Sequence, residues 1–211
     1  MISLVDVTKK YSHQAILTKI NMQLQGGTIY GLVGANGCGK TTLMRCICGL
    51  TRPTSGIVSV LGKIIGKDVD FAPSTGILIE TAGFLPQYSA RRNLTVLAGI
   101  SGVINKEHID SVIRKVGLDP DSKKSVNKYS LGMRQRLGIA QAIMEDPKVL
   151  ILDEPFNAMD KTAMEEIHAL LQTLKRQGKL VVLASHSAVD MERACDVVYE
   201  MENGSLKQIK G

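Results

Sequence analysis

No run of apolar residues in this sequence comes near the ~20 needed to cross a bilayer as a helix. The first residues, Met1-Ile-Ser-Leu-Val-Asp-Val, lack a basic region followed by an apolar stretch, so no export signal is read there. The expectation is a chain that stays in the cytoplasm. Cysteine is scarce, with four residues. Cys46-x-Cys48 has no second pair to complete a zinc site, and it falls in a helical pattern where i and i+2 point apart. These are read as buried thiols. Charge of one sign is nowhere dense. The net charge of +6 is spread among 20 acidic residues, and Arg91-Arg92 and Lys123-Lys124 are too short to argue for DNA or RNA. No nucleic-acid partner is expected. Internal repeats, low-complexity tracts and long linkers are also missing.

What remains is a chain of 211 residues, 44% hydrophobic, able to bury one real core. Short β-rich runs alternate with helical stretches, which predicts an α/β fold. Ile20, Met22 and Leu24 alternate with polar residues as in a half-buried strand. Gly26-Gly27 reads as a two-residue hairpin turn into a second strand, Ile29–Val33. With Ile57–Leu61 as a further strand, the first third is expected to be partly antiparallel. Val149–Leu152 and Leu180–Ala184 are continuous apolar runs, suited to a parallel sheet covered on both faces. Between them Met164, Ile167, Leu171 and Leu174 give one buried stripe, predicting a helix over 161–176 with Gly178 as its stop. Asn203-Gly204 predicts a terminal hairpin. Residues 89–144 are dominated by helical patterns and are read as a helical subdomain inserted in one domain of 1–211, with Ser130 to Met144 the clearest helix.

The segment Gly34-Ala-Asn-Gly-Cys-Gly-Lys-Thr-Thr42 has the spacing of a phosphate-binding loop. It follows a predicted strand and opens a predicted helix, the context this motif requires. Glycines let the backbone turn tightly and aim successive N–H groups at phosphate oxygens, and the helix adds its positive end. Gly34, Asn36, Gly37, Cys38, Gly39, Lys40, Thr41 and Thr42 are therefore expected to hold a nucleotide. Lys40 reaches the β- and γ-phosphates, and the Thr41 hydroxyl holds Mg²⁺.

Val149–Leu152 ends in Asp153-Glu154. Ligands of open α/β sheets gather at the carboxyl ends of strands. Asp153 is placed beside the loop as a Mg²⁺ ligand, and Glu154 as a general base for the attacking water. Alone, such a pair would read as a solvated loop; after a phosphate loop it reads as a metal and base pair. His186 follows another strand end and is expected to contact the γ-phosphate.

Tyr129-Ser130-Leu131-Gly132-Met133 followed by Arg134-Gln135-Arg136, 23 residues before Asp153 when counted from Ser130, resembles the Leu-Ser-Gly-Gly-Gln signature of ABC ATPases. Ser130 and Gly132 match, while Leu131 and Met133 depart from it. The chain thus resembles that family over essentially its whole length: a P-loop NTPase core with an N-terminal antiparallel β subdomain and the helical insertion. The resemblance implies ATP and Mg²⁺ as ligands and ATP hydrolysis as activity. It implies a dimer in which Ser130 and Gly132 grip the γ-phosphate held by the other subunit. Tyr11 is expected to stack on adenine, and Asn157-Ala-Met-Asp160 to communicate across the dimer. Integral membrane permease subunits are the implied partners, with this chain peripheral on the inner face of the cell membrane.

Where most ABC ATPases have a glutamine at the end of the strand following the phosphate-loop helix, aligning Gly76–Glu80 on that strand puts Glu80. Glu80 is expected to act as metal and coupling ligand, with Gln87, seven residues on, as a competitor past the strand. Phe84, Leu85 and Tyr88 either meet a membrane subunit or pack the helical core. The Glu80-Thr-Ala-Gly-Phe-Leu-Pro stretch and the altered signature resemble the bacitracin-resistance and lantibiotic-immunity branch, which implies export of peptide antibiotics. The alternative is a soluble ABC ATPase serving cofactor assembly or nucleic acid, although the second ATPase unit, coiled coil or zinc insertion usual there is missing. A dead, binding-only site is disfavoured by the intact Lys40, Asp153, Glu154 and His186.

Overall fold

The computed structural model describes residues 1–80, 82–102 and 105–211. Thr81, within the Glu80–Pro86 stretch, and positions 103 and 104, within the 89–144 region, lie outside them. In order, the elements are β1 (Ile2–Tyr11), β2 (Gln14–Leu24), β3 (Thr28–Val33), α1 (Lys40–Cys48), β4 (Ser55–Val60), β5 (Lys63–Ile64) and β6 (Thr75–Leu78). The helices α2 (Ala90–Ser101) and α3 (Lys106–Lys115), a 3₁₀ turn (Val126–Lys128) and α4 (Leu131–Ile143) follow. The chain continues through β7 (Val149–Asp153), α5 (Lys161–Arg176), β8 (Leu180–Ser185), α6 (Ala188–Ala194), β9 (Val197–Glu202) and β10 (Ser205–Lys210).

The strands form two sheets. One is antiparallel, in the order β2-β1-β4-β5; the other runs β10-β9-β3-β8-β7-β6. In the second sheet β9, β3, β8, β7 and β6 are mutually parallel, and β10 closes it as an antiparallel hairpin on β9. The apolar runs predicted as doubly covered strands behave that way. Val149 and Ile151 of β7 and Leu180, Val182 and Ala184 of β8 join a core with α1 and the antiparallel sheet. Leu150, Leu152, Val181 and Leu183 join the opposite core with the later helices. That is the period-2 alternation of a strand with two apolar faces. Helix α1 is thus wedged between the sheets, with Leu43, Met44, Cys46, Ile47 and Cys48 buried. Burial pushes the Cys46 and Cys48 thiols up to about 11 and about 12, as inert core groups.

The hairpin expected at Gly26-Gly27 is corrected. β2 belongs to the antiparallel sheet and β3 to the parallel one, so the turn carries the chain from one sheet to the other. Gly27 N–H donates to the Lys179 carbonyl at 2.9 Å rather than closing a β2–β3 ladder. The reason is burial: β3 is buried from Ile29 to Val33 and pairs with β8 and β9, whereas a strand hairpinned onto β2 would have one wet face.

Helices α2 to α4 lie where helical patterns were read. Arg91 ties α2 to α3 and to the loop after it, reaching Asp110 Oδ1 at 2.5 Å and Asp121 Oδ1 at 2.7 Å. Buried Asn93 accepts from Leu85 N–H at 2.7 Å and donates to the Leu85, Tyr88 and Ser89 carbonyls, pinning the loop that leaves β6. The later half of α4 leans on β6, with Gly138 against the Leu78 side chain. No helix among the described residues is long and apolar enough to cross a membrane.

Candidate functional site

The loop from Gly34 to Gly39 joins β3 to α1 at the carboxyl end of the parallel sheet. Gly39, at φ +117°, caps α1 through no side chain, so the first-turn N–H groups look out of the loop. Gly34 must also be glycine: its φ is +154°, and a Cβ would lie 2.4 Å from the Met201 carbonyl oxygen. Lys40 starts α1 and is only 6% exposed. Its Nζ donates to the Gly34 carbonyl at 2.6 Å and the Ala35 carbonyl at 3.1 Å, curling over the loop.

Asp153 closes β7 beside it. Thr41 Oγ1 donates to Asp153 Oδ2 at 2.6 Å. Burial raises the Asp153 pKa, the Thr41 hydrogen bond opposes that, and the Glu154 charge adds to it. Tyr11, Ile16, Asn36, Gly37, Gly39, Lys40, Thr41, Thr42, Asp153 and Glu154 line one cavity of about 290 Å³. Gly34 and Cys38 face the neighbouring hollow, of about 640 Å³, which also contains Gln14, Glu200 and Glu202. Tyr11 stays half exposed, with Lys9 Nζ 4.7 Å from its ring centre.

Glu154 leaves the strand at φ +48°, an uncommon conformation for a residue with a side chain. Both oxygens of its carboxylate are engaged. Oε1 accepts the His186 backbone N–H at 3.0 Å and lies 2.9 Å from His186 Nδ1; Oε2 accepts from Ser185 Oγ at 3.1 Å. His186 therefore meets the site through Glu154. Sequence reasoning named the histidine but not the Ser185 contact, though Ser185 ends β8, which pairs with β7, and His186 follows it.

Beyond His186, which lines neither hollow, Ser130, Gly132 and Glu80 also stand outside both. Ser130 is exposed at the start of α4, where its Oγ accepts from Met133 N–H at 3.2 Å as a helix cap. Gly132, the second residue of the helix, is buried against the loop after Glu154. Asp160 caps α5, accepting from Ala163 N–H at 2.8 Å. Strand β6 ends at Leu78, so Glu80 sits past it, at φ +62°, with its carboxylate 2.7 Å from Arg45 of α1. Its charge is still felt at Asp153. Gln87 is exposed in the following turn. Phe84 packs against the helical core, Tyr88 stacks under Arg92 at 4.2 Å, and Leu85 is left 41% exposed. Ile16 and Arg45 were missed, since no motif names them; Gln135 stands in the run after the signature, but its contact with the Glu154 carbonyl was not read. The carboxylates and phosphate loop provide oxygen donors and N–H groups suited to a triphosphate and a hard divalent cation.

A family model described as ABC transporter matches residues 17–157. The chain is 41% identical over 207 residues to the uncharacterised ABC transporter ATP-binding protein YybJ of Bacillus subtilis strain 168, covering 98% of this chain and 95% of that one. It is 38% identical over 208 residues to the bacitracin transport ATP-binding protein BcrA of Bacillus licheniformis, covering 98% of this chain and 68% of that one. With the lantibiotic transport ATP-binding protein SrtF of Streptococcus pyogenes it shares 33% over 206 residues, covering 98% and 89%. The fold matches a solved dimeric bacterial ABC transporter cassette, MJ0796, with a TM-score of 0.89 at 24% identity, over 100% of this chain and 98% of that one. With the family match spanning both the phosphate loop and Glu154, and a relative at 41% identity along nearly the whole length, this chain belongs to the ABC transporter family, among its ATP-binding ATPase subunits.

Proposed function

We propose that two copies of this chain close over two ATP molecules, and that hydrolysis drives membrane subunits that export peptide antibiotics. The observation that carries the two-copy reading is the split of the site. Lys40, Thr41, Asp153 and Glu154 converge on one cavity of about 290 Å³, at the bottom of the range for ligand clefts, while Ser130 stands exposed outside it. One chain offers a floor without a roof. The exposed start of α4, a serine-capped helix end with outward N–H groups, suits a second copy's γ-phosphate.

In this reading the loop from Gly34 through Thr42 holds the phosphates, and Tyr11 stacks on adenine. The Lys40 ammonium exchanges the Gly34 and Ala35 carbonyls for β- and γ-phosphate oxygens. Thr41 Oγ1 and Asp153 Oδ2, 2.6 Å apart and both oxygen donors, would hold Mg²⁺, with Glu80 as a further carboxylate once it leaves Arg45. Bound there, Mg²⁺ neutralises charge on the phosphate oxygens. The raised pKa of Asp153 fits such a role, since a buried carboxylate lacking full compensation favours a cation. Glu154 takes the proton of the attacking water, and His186 keeps the carboxylate aimed while facing the γ-phosphate.

Support for antibiotic export comes from the bacitracin and lantibiotic transport relatives. Membrane partners, a place on the cytoplasmic face of the membrane, and the absence of nucleic acid from the cycle complete the reading. Replacing Glu154 by Gln removes the base and keeps the fold. That variant binds ATP, runs as a dimer on gel filtration only with ATP, and loses roughly 10²- to 10⁴-fold in turnover. A monomer with undiminished turnover would overturn the proposal.

A further inference from the structure

Glu154 is held in a conformation it would not choose. At φ +48° it lies in the left-handed region, and Pro155 follows without an N–H to anchor the turn. Three hydrogen bonds fix its backbone. Its N–H donates to the Ala184 carbonyl at 2.9 Å, from the sheet side. Its carbonyl accepts from Asn157 N–H at 3.2 Å, within the loop's own turn. The same carbonyl accepts from Gln135 Nε2 at 2.8 Å, and that bond comes from α4.

Gln135 lies three residues after Gly132, so the two share a face of α4. Gly132 meets the same loop, because a Cβ there would stand 2.5 Å from the Ala158 carbonyl oxygen. Helix α4 is therefore seated on the Glu154–Ala158 segment at two points, one steric and one hydrogen-bonded. Ser130, at the start of that helix, is only ~7.5 Å along the axis from Gln135.

We propose that Gln135 is a positioning residue for ATP hydrolysis. It anchors the Glu154 carbonyl so that the strained backbone keeps the carboxylate aimed, and it ties this chain's base to the helix whose Ser130 end serves the other copy's nucleotide. The assignment rests on the two-copy ATP reading above. Gln135 acts through Glu154 and touches neither nucleotide nor water.

Two variants of the full chain separate this role from simple packing. Gln135→Met keeps the length and removes the donor, while Gln135→Lys, one bond longer and cationic, restores one. Steady-state ATPase assays should show kcat of Gln135→Met down roughly five- to tenfold, the worth of one neutral hydrogen bond. KM for ATP should stay within about twofold and Tm should hold, because binding and folding are untouched. Gln135→Lys should return kcat to within about twofold of wild type. A normal kcat in Gln135→Met, a loss that Lys does not restore, or a change in KM alone would overturn the assignment. Lys40→Ala runs alongside. If it hydrolyses ATP like wild type, the two-copy ATP reading fails and takes the Gln135 assignment with it. If it is dead while Gln135→Met is normal, only the Gln135 assignment falls.

Discussion

Lys40, 6% exposed, is hydrogen-bonded to two carbonyls of its own loop, whereas Ser130, exposed at the start of α4, caps its own helix. Both belong to motifs read as phosphate-binding. At the loop, every group is built in by one chain: Lys40 is curled inward, Thr41 and Asp153 are joined, and Glu154 is held by Ser185 and His186. At α4 there is an exposed helix end, capped by its own serine. Under the two-copy proposal, the contrast separates what the fold pre-organises from what a second molecule would supply. In that proposal a pre-organised half binds without large reordering, and the closing half would then decide when hydrolysis proceeds.

The largest test of this contrast sets the two halves against each other. Lys40→Ala should abolish both ATP binding and turnover. Ser130→Arg, which blocks the helix end with bulk, should bring turnover to background yet leave ATP binding to the isolated chain within about threefold, because the loop is whole. Fluorescent-nucleotide titration beside an ATPase assay reads both. Equal loss of binding in the two variants would erase the distinction.

A smaller effect concerns the cost of building the floor in advance. Burial raises the Asp153 pKa, so in the nucleotide-free chain its charge is a burden above that pKa. Asp153→Asn should therefore stabilise the nucleotide-free chain at neutral pH, by on the order of 1 kcal/mol, while removing Mg²⁺-dependent turnover. The sign with pH is fixed. The wild-type deficit is present above the folded pKa, shrinks as pH falls through it, and vanishes below the unfolded value of ~3.9. Thermal melts from neutral to acidic pH check this; a gap that widens on acidification would contradict it.

Glu80→Gln should have the smallest effect. The Arg45 pair is exposed on both sides, so its loss should cost less than ~1 kcal/mol in a thermal melt. Nucleotide binding by the isolated chain should stay near wild type, and export by the assembled transporter should change. Unaltered export would remove Glu80 from the coupling.

The pre-organised half was the legible one. A phosphate loop and an Asp-Glu strand end are local patterns whose chemistry needs those residues at those spacings, so Lys40, Thr41, Asp153 and Glu154 could be named before any fold was known. Helix α5 was legible for the same reason: its apolar stripe, its Asp160 cap and Gly178 are all within reach of one another. The sequence misled where distant burial decides. Gly26-Gly27 has the composition of a hairpin turn, yet strand pairing is set by β8 and β9, more than 150 residues away in sequence. Asn93 and the contacts of Ser185 and Gln135 escaped notice because a polar side chain at a helix or strand position has no signature until its partner is known. Glu80 was assigned by alignment to a strand end, and its Arg45 partner lies 35 residues away on another element.

The most direct test of the split site mixes two inactive chains, Lys40→Ala and Ser130→Arg. In a mixed pair, one site joins the intact loop of the second chain to the intact helix end of the first. Turnover should reappear on mixing, up to roughly a quarter of wild type, since half the pairs are mixed and each holds one sound site. A mixture as inactive as either component alone would contradict the account, because the site would then lie within a single chain.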